Sequence, residues 1–151
     1  MKRTVPLLFG AALFSVALVT AVAGRASAPN GRYVIADGTV HDSRTNLTWQ
    51  RASSPTTYTQ PDAVTYCASL GLNGAKWRLP TMKELLTIVD LSVPEPGPTI
   101  DSAAFPNTPG VYFWSSTLYA GTPGSAWSVL FEYGFSYGNM MTDTSYVRCV
   151  R

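Results

Sequence analysis

The order of segments in this chain predicts an α+β domain whose N- and C-terminal strands lie together. Short β-prone runs come first, two stretches with helical apolar spacing follow, and a proline-rich loop leads back to β-prone runs. With 151 residues, 46% of them apolar and 13% charged, the chain suits one globular domain and is too apolar for a disordered linker.

Residues 1–23 read as an export signal. Lys2 and Arg3 precede an apolar stretch from Val5 to about Val22, and Ala21-Val22-Ala23 offers a small-x-small cleavage site. Ala26-Ser27-Ala28 fits the same rule but would leave Pro29 at the new N-terminus, so cleavage is expected after Ala23. An uncleaved anchor is the alternative, since about 18 apolar residues just span a bilayer. Residues 24–31 are expected to be a flexible lead and residues 32–151 a single domain.

In the first strand region, residues 32–35 alternate, Asp37-Gly38 marks a turn, and residues 40–42 resume the strand. A polar turn at 42–46 leads to the β-prone run Leu47-Thr48-Trp49-Gln50, which completes an antiparallel meander. The first helix starts at Pro61, with Thr59 or Gln60 before it. Ala63, Tyr66, Cys67 and Leu70 share one face, and Gly71 stops it. Thr81 and Glu84 form a Thr-x-x-Glu capping box for a second helix running to about Asp90, with Leu85, Ile88 and Val89 buried. Residues 91–110 hold five prolines and should be an irregular loop anchored by Phe105. Beyond it, strands are expected at 111–115, 126–131 and 146–150, with turns at 121–124 and 133–139.

Charge and metal-ligating residues exclude several function classes. Setting aside Lys2 and Arg3, nine basic residues face nine acidic ones, so nothing recommends a nucleic-acid or strongly anionic membrane partner. One histidine, His41, and two cysteines, Cys67 and Cys149, leave no zinc-finger spacing, Cys-x-x-Cys pair or two-histidine metal helix. Export favours oxidation of the only available pair, Cys67 with Cys149, as a structural staple; reactive thiols are the competing reading. No cofactor is expected. Calcium needs about six to eight oxygens, and Asp90, Glu95 and Asp101 around the proline-rich loop are scattered carboxylates that give it no support.

Leu47-Thr48-Trp49-Gln50-Arg51, Ala63 with Tyr66-Cys67, Trp77-Arg78-Leu79-Pro80-Thr81 with Glu84-Leu85, Ile100-Asp101 with Phe105-Pro106, Trp114-Ser115-Ser116-Thr117, Ala126-Trp127 and the run from Tyr146 to Arg151 stand in a recurring order. Together they resemble the C-terminal domain family of the Legionella collagen-like adhesin, over roughly residues 32–151. The resemblance implies an adhesin-like module at the bacterial envelope. More distantly, the layout is similar to the C-type-lectin-like fold. That likeness implies two helices packed on a twisted antiparallel sheet, a bridge from the first helix to the last strand, and long irregular loops forming the recognition face. Gln60-Pro61-Asp62 matches a calcium-lectin tripeptide, but it opens a helix here, where Pro and Asp have ordinary first-turn roles.

Residues 132–143 stand apart. Their Tyr, Ser, Gly and Asn content resembles an antibody contact surface. The expected binding face comprises Tyr133, Tyr137, Asn139 and Asp143, with Tyr119 from the preceding turn; the competing reading is a hairpin whose tyrosines pack on the sheet. Arg78 and Arg148, beside buried segments, are expected to pair with carboxylates. No nucleophile–base pair or phosphate loop stands out. The function expected is therefore a secreted, periplasmic or envelope recognition module, non-catalytic, for a glycan or an extracellular or envelope protein. After signal cleavage it would not be an integral membrane protein. An oxidase of the formylglycine-generating type working through free cysteines, or a structural envelope subunit, are the alternatives. The sequence does not specify the oligomeric state.

Overall fold

The computed structural model describes residues 28–151; the signal-segment expectation lies outside them. Strands β1 (Tyr33–Ala36), β2 (Thr39–Asp42) and β3 (Leu47–Gln50) form the expected meander, paired antiparallel in the order β1-β2-β3. The two-residue Asp37-Gly38 connection works because Gly38 takes φ +69°, a region closed to most side chains. Helix α1 (Gln60–Ser69) is capped by the Thr59 hydroxyl, which accepts from the Asp62 amide, and Pro61 sits in its first turn. Ala63 and Cys67 are fully buried on its inner face.

Helix α2 (Met82–Leu86) begins with both halves of the capping box in place. It ends four residues before the expected Asp90. Thr87 turns its own hydroxyl back to the Glu84 carbonyl, and the Arg32 guanidinium takes the Thr87 carbonyl, so the groups that would continue the ladder are already engaged. Strands β4 (Tyr112–Leu118), β5 (Ser125–Leu130) and β6 (Phe135–Met140) make a second antiparallel sheet in the order β4-β5-β6. The turn expected at 133–139 is thus mostly strand, and the chain reverses over residues 131–134 instead.

The expectation of one twisted sheet carrying two helices, in the manner of a C-type lectin, is overturned. The strands divide into two separate three-stranded sheets, and the helices hold only ten and five residues. The cause lies in residues 145–151, which include the strand expected at 146–150. Their backbone changes partner every residue or two: Ser145 bridges Tyr58, Tyr146 bridges Phe113, and Val150 bridges both Trp49 and Arg78. Val147 exchanges bonds with Ser54, and Arg151 with Thr48. Shared among so many neighbours, this segment joins neither sheet as a full strand and runs as a seam beside both.

Two cores lie along the seam. Val40, Trp49, Leu85, Ile100, Phe105, Phe113 and Val150 belong to one; Ala63, Cys67, Trp77, Trp114, Val147 and Cys149 to the other. Adjacent residues, Phe113 with Trp114 and Cys149 with Val150, enter different cores because extended backbone sends successive side chains to opposite faces. Phe105 is fully buried and anchors the proline-rich loop as expected. Cys67 and Cys149 form a disulfide. Among the described residues, no helix is long and apolar enough to cross a membrane.

Candidate functional site

Strand β6 is an edge strand: among the described residues it has β5 on one side and no strand on the other. Its register pairs Leu130 with Phe135, Ser128 with Tyr137 and Ala126 with Asn139. The pleat therefore places Phe135, Tyr137 and Asn139 on one face and Ser136, Gly138 and Met140 on the other. Phe135 is 53% exposed and Tyr137 43%. Neither ring is loose: Phe135 stacks with Tyr133 at 6.4 Å between centroids, and Tyr137 meets Tyr112 edge-on at 5.7 Å. Asn139 donates its amide to the Ser128 hydroxyl at 2.8 Å, which fixes that side chain beside Tyr137. The result is a row of four half-solvated aromatic rings with an amide at its end.

The structure thus brings together Tyr133, Tyr137 and Asn139. Asp143 stands in the exposed turn just after β6, its amide bonded to the Met140 carbonyl. Tyr119 does not join them. Its ring covers Gly138 and meets Trp127 edge-on, and Trp127 and Gly138 are register partners. Gly138 faces the opposite way from its neighbours Tyr137 and Asn139, so Tyr119 is on the other side of the sheet. Sequence reasoning had grouped it by composition, which carries no information about faces. The same reasoning passed over Phe135 and Tyr112. The spacing of Phe135, Tyr137 and Asn139 at i, i+2 and i+4 was the available signal, hidden by the reading of 133–139 as a turn.

Carboxylates bracket the row. Glu132 precedes it and, with the Glu95 charge, pushes the Tyr133 phenol above its ordinary value. Glu132 also lines a shallow cleft with Pro96, Gly97, Pro98, Gly110 and Val111. Neither Glu132 nor Asp143 has an ion-pair partner among the described residues.

The remaining candidate residues have structural roles. Gln60 and Asp62 of the lectin-like tripeptide are spent on the Ser115 carbonyl and on the α1 cap. Asp90 binds Ser92, and Asp101 accepts from the amides of Ala28, Ala103 and Ala104. Among the described residues no three His, Cys, Asp or Glu side chains come together as a metal site. His41 lies 3.3 Å from the Thr48 hydroxyl. Trp49 and Trp114 are fully buried and Trp77 nearly so, which assigns them to the cores. Both sulfurs are in the bridge, and cysteine-based oxidation would need a free thiol.

Arg78 pairs bidentately with Glu84, at 2.8 and 2.6 Å, as expected of it. Arg148 does not pair with a carboxylate. Fully buried, it donates to the carbonyls of Gln50 and Arg51 and to the Thr108 hydroxyl, and its guanidinium lies 4.7 Å over the Phe105 ring. Burial pushes its pKa down to about 9. The carbonyl cluster and the aromatic face take the place of the expected counter-ion, since each offers negative potential without a second desolvated charge.

No curated protein matches the chain. The sequence pattern of the Lcl C-terminal domain matches residues 38–151, from the first turn of the meander to the last residue of the seam. That span takes in both sheets apart from β1, both helices and both cysteines, so the chain belongs to the Lcl C-terminal domain family.

Proposed function

We propose that this chain is an adhesin-type recognition module that takes a glycan on the exposed margin of its second sheet, along β6. The observation that carries the reading is the exposed pair Phe135 and Tyr137, each braced by a second ring, on the edge strand of the second sheet. Leaving about half of each ring in water forgoes about half of what full burial would give, on the order of 1 kcal/mol per side chain. A partner that covers it recovers that energy. Rings held by neighbours also lose little conformational freedom on binding, which is why rigid aromatics with small polar groups serve as contact surfaces. Sugar rings present flat C–H faces to such rings, while hydroxyls meet Asn139 and the unpaired strand edge. Family membership supports an adhesin-type role, and a disulfide is at home outside the reducing cytosol. A single domain would bind weakly and gain from clustering.

The test is binding of residues 24–151, clustered on a carrier, to a glycan array, with calcium and with chelator, for the wild type and Tyr137→Ala. Selective binding that survives chelation and falls at least tenfold in Tyr137→Ala, with melting temperature nearly unchanged, is the expected result. Glycan binding equal in both proteins would place the ligand elsewhere.

A further inference from the structure

A second cleft is built from residues outside the β6 row. The turn between β1 and β2, the end of β3, the segment after α1 and the proline-rich loop enclose a cavity of about 360 Å³. Its lining is chiefly apolar, from Ala52, Leu70, Leu72 and Pro106. These walls are fixed. A β-carbon at Gly38 would come within 3.0 Å of a Leu72 methyl, so the turn and Leu72 already touch. Leu70 caps α1 with its amide on the Cys67 carbonyl, which ties it to the disulfide. Gln50 also lines the cleft, but its carboxamide donates to the Tyr66 hydroxyl and accepts from the Cys149 amide.

Arg51 brings a positive charge to this apolar lining. Its amide donates to the Gly38 carbonyl and its own carbonyl accepts from Arg148, which holds the residue from both sides. The half-buried guanidinium reaches the carbonyls of Ala104 and Ala103 at 3.3 and 3.4 Å. A guanidinium carries more donors than these two long contacts use. Neither ion pair among the described residues involves Arg51; Asp37, beside Gly38, is exposed and outside ion-pair distance of it.

We infer that this cleft binds a small amphiphilic monocarboxylate, its short alkyl body among Leu70, Leu72, Ala52 and Pro106 and its carboxylate on Arg51. Ligand cavities commonly run from about 300 to 1,000 Å³, with apolar walls and a few placed polar groups. This one lies at the small end of that range, which suits a short alkyl chain. A carboxylate matches the planar guanidinium fork and gains charge-assisted bonds there. An alcohol of the same length keeps the apolar contact and loses the charge; an amine brings like charge to Arg51.

The experiment titrates the isotope-labelled, oxidised domain with octanoate, octanol and octylamine, followed by two-dimensional NMR. A pH of about 7 keeps both the carboxylate and the amine ionised. Octanoate should shift the amide signals of Arg51, Leu70 and Leu72. It should bind about tenfold tighter than octanol, the scale of one hydrogen bond to a charged group, and octylamine should bind weakest. Arg51→Gln should bring octanoate down to the octanol level. Ala52→Phe, which fills the cleft and keeps Arg51, should weaken octanoate and octanol alike, with melting temperature close to wild type. Equal binding of octanoate and octanol to the wild type would overturn the carboxylate assignment. Shifts that Ala52→Phe leaves unchanged, or none at millimolar octanoate, would overturn the site itself. Should Arg51→Gln fail to fold, the three ligands and Ala52→Phe decide between these outcomes without it.

Discussion

Tyr119 fills the space that a side chain at Gly138 would need. A β-carbon at Gly138 would come within 2.4 Å of the Tyr119 ring, and that ring meets Trp127 edge-on at 4.7 Å. Gly138→Ala should therefore push Tyr119 off Trp127, costing about 1–3 kcal/mol and shifting tryptophan emission to longer wavelength. An unchanged melting temperature and emission spectrum would show that the ring yields without cost. Tyr119→Ala should lower stability through lost packing and leave binding through Tyr137 intact, a separation that parallel denaturation and binding curves would reveal.

Arg148 should be irreplaceable by lysine. Its planar fork reaches three oxygens from one position and covers an aromatic face, which a compact ammonium cannot reproduce. Arg148→Lys should lose about 3 kcal/mol or more, because buried acceptors are left without donors. Urea unfolding measures this directly; a midpoint close to wild type would mean that the seam repacks around the shorter charge.

Removing the bridge by Cys67→Ala/Cys149→Ala should cost up to about 4.5 kcal/mol by the chain-entropy relation, given the 82-residue separation. Both cysteines are fully buried. Reductant should thus act only on unfolded molecules, and thiol release should follow the unfolding rate as denaturant rises. Release at a rate that tracks reductant concentration in native buffer would contradict this.

Glu84 gives the fold an acid-sensitive element. The Arg78 guanidinium, foremost, and the Thr81 amide and hydroxyl hold its carboxyl at about 2, below an ordinary value of 4.5. A group depressed in the folded state stabilises the protein above its unfolded value and loses that contribution as pH falls from about 4.5 towards 2. Arg78 is half exposed, so the contribution should stay under about 1 kcal/mol. Glu84→Gln should flatten the acid limb of the stability profile; parallel profiles for the two proteins would remove Glu84 from the account.

What could be read from the sequence was local. Asp37-Gly38 located a hairpin because a two-residue turn needs a positive φ, and Thr81 with Glu84 located a helix start because the capping box is a four-residue pattern. Phe105 stood out as an anchor amid prolines. What could not be read was long-range. Nothing near Val150 announces that it bridges Trp49 and Arg78, and the two sheets follow from such choices of partner. The candidate site shows the same division. Tyr133, Tyr137 and Asn139 were visible as a composition, but the side of the sheet each one faces depends on a strand register that composition does not contain.

The seam has a consequence for how the chain is made. It follows every other described element, yet it supplies buried side chains to both cores and the second half of the disulfide. A chain emerging from its N-terminus can form the β1–β2–β3 meander and both hairpins of the second sheet from neighbours alone, but it cannot close either core until residues 145–151 arrive. Pairings of such long sequence separation form late. Until then neither core is closed, and shortening the polypeptide by these few residues should yield protease-sensitive fragments rather than a smaller folded domain.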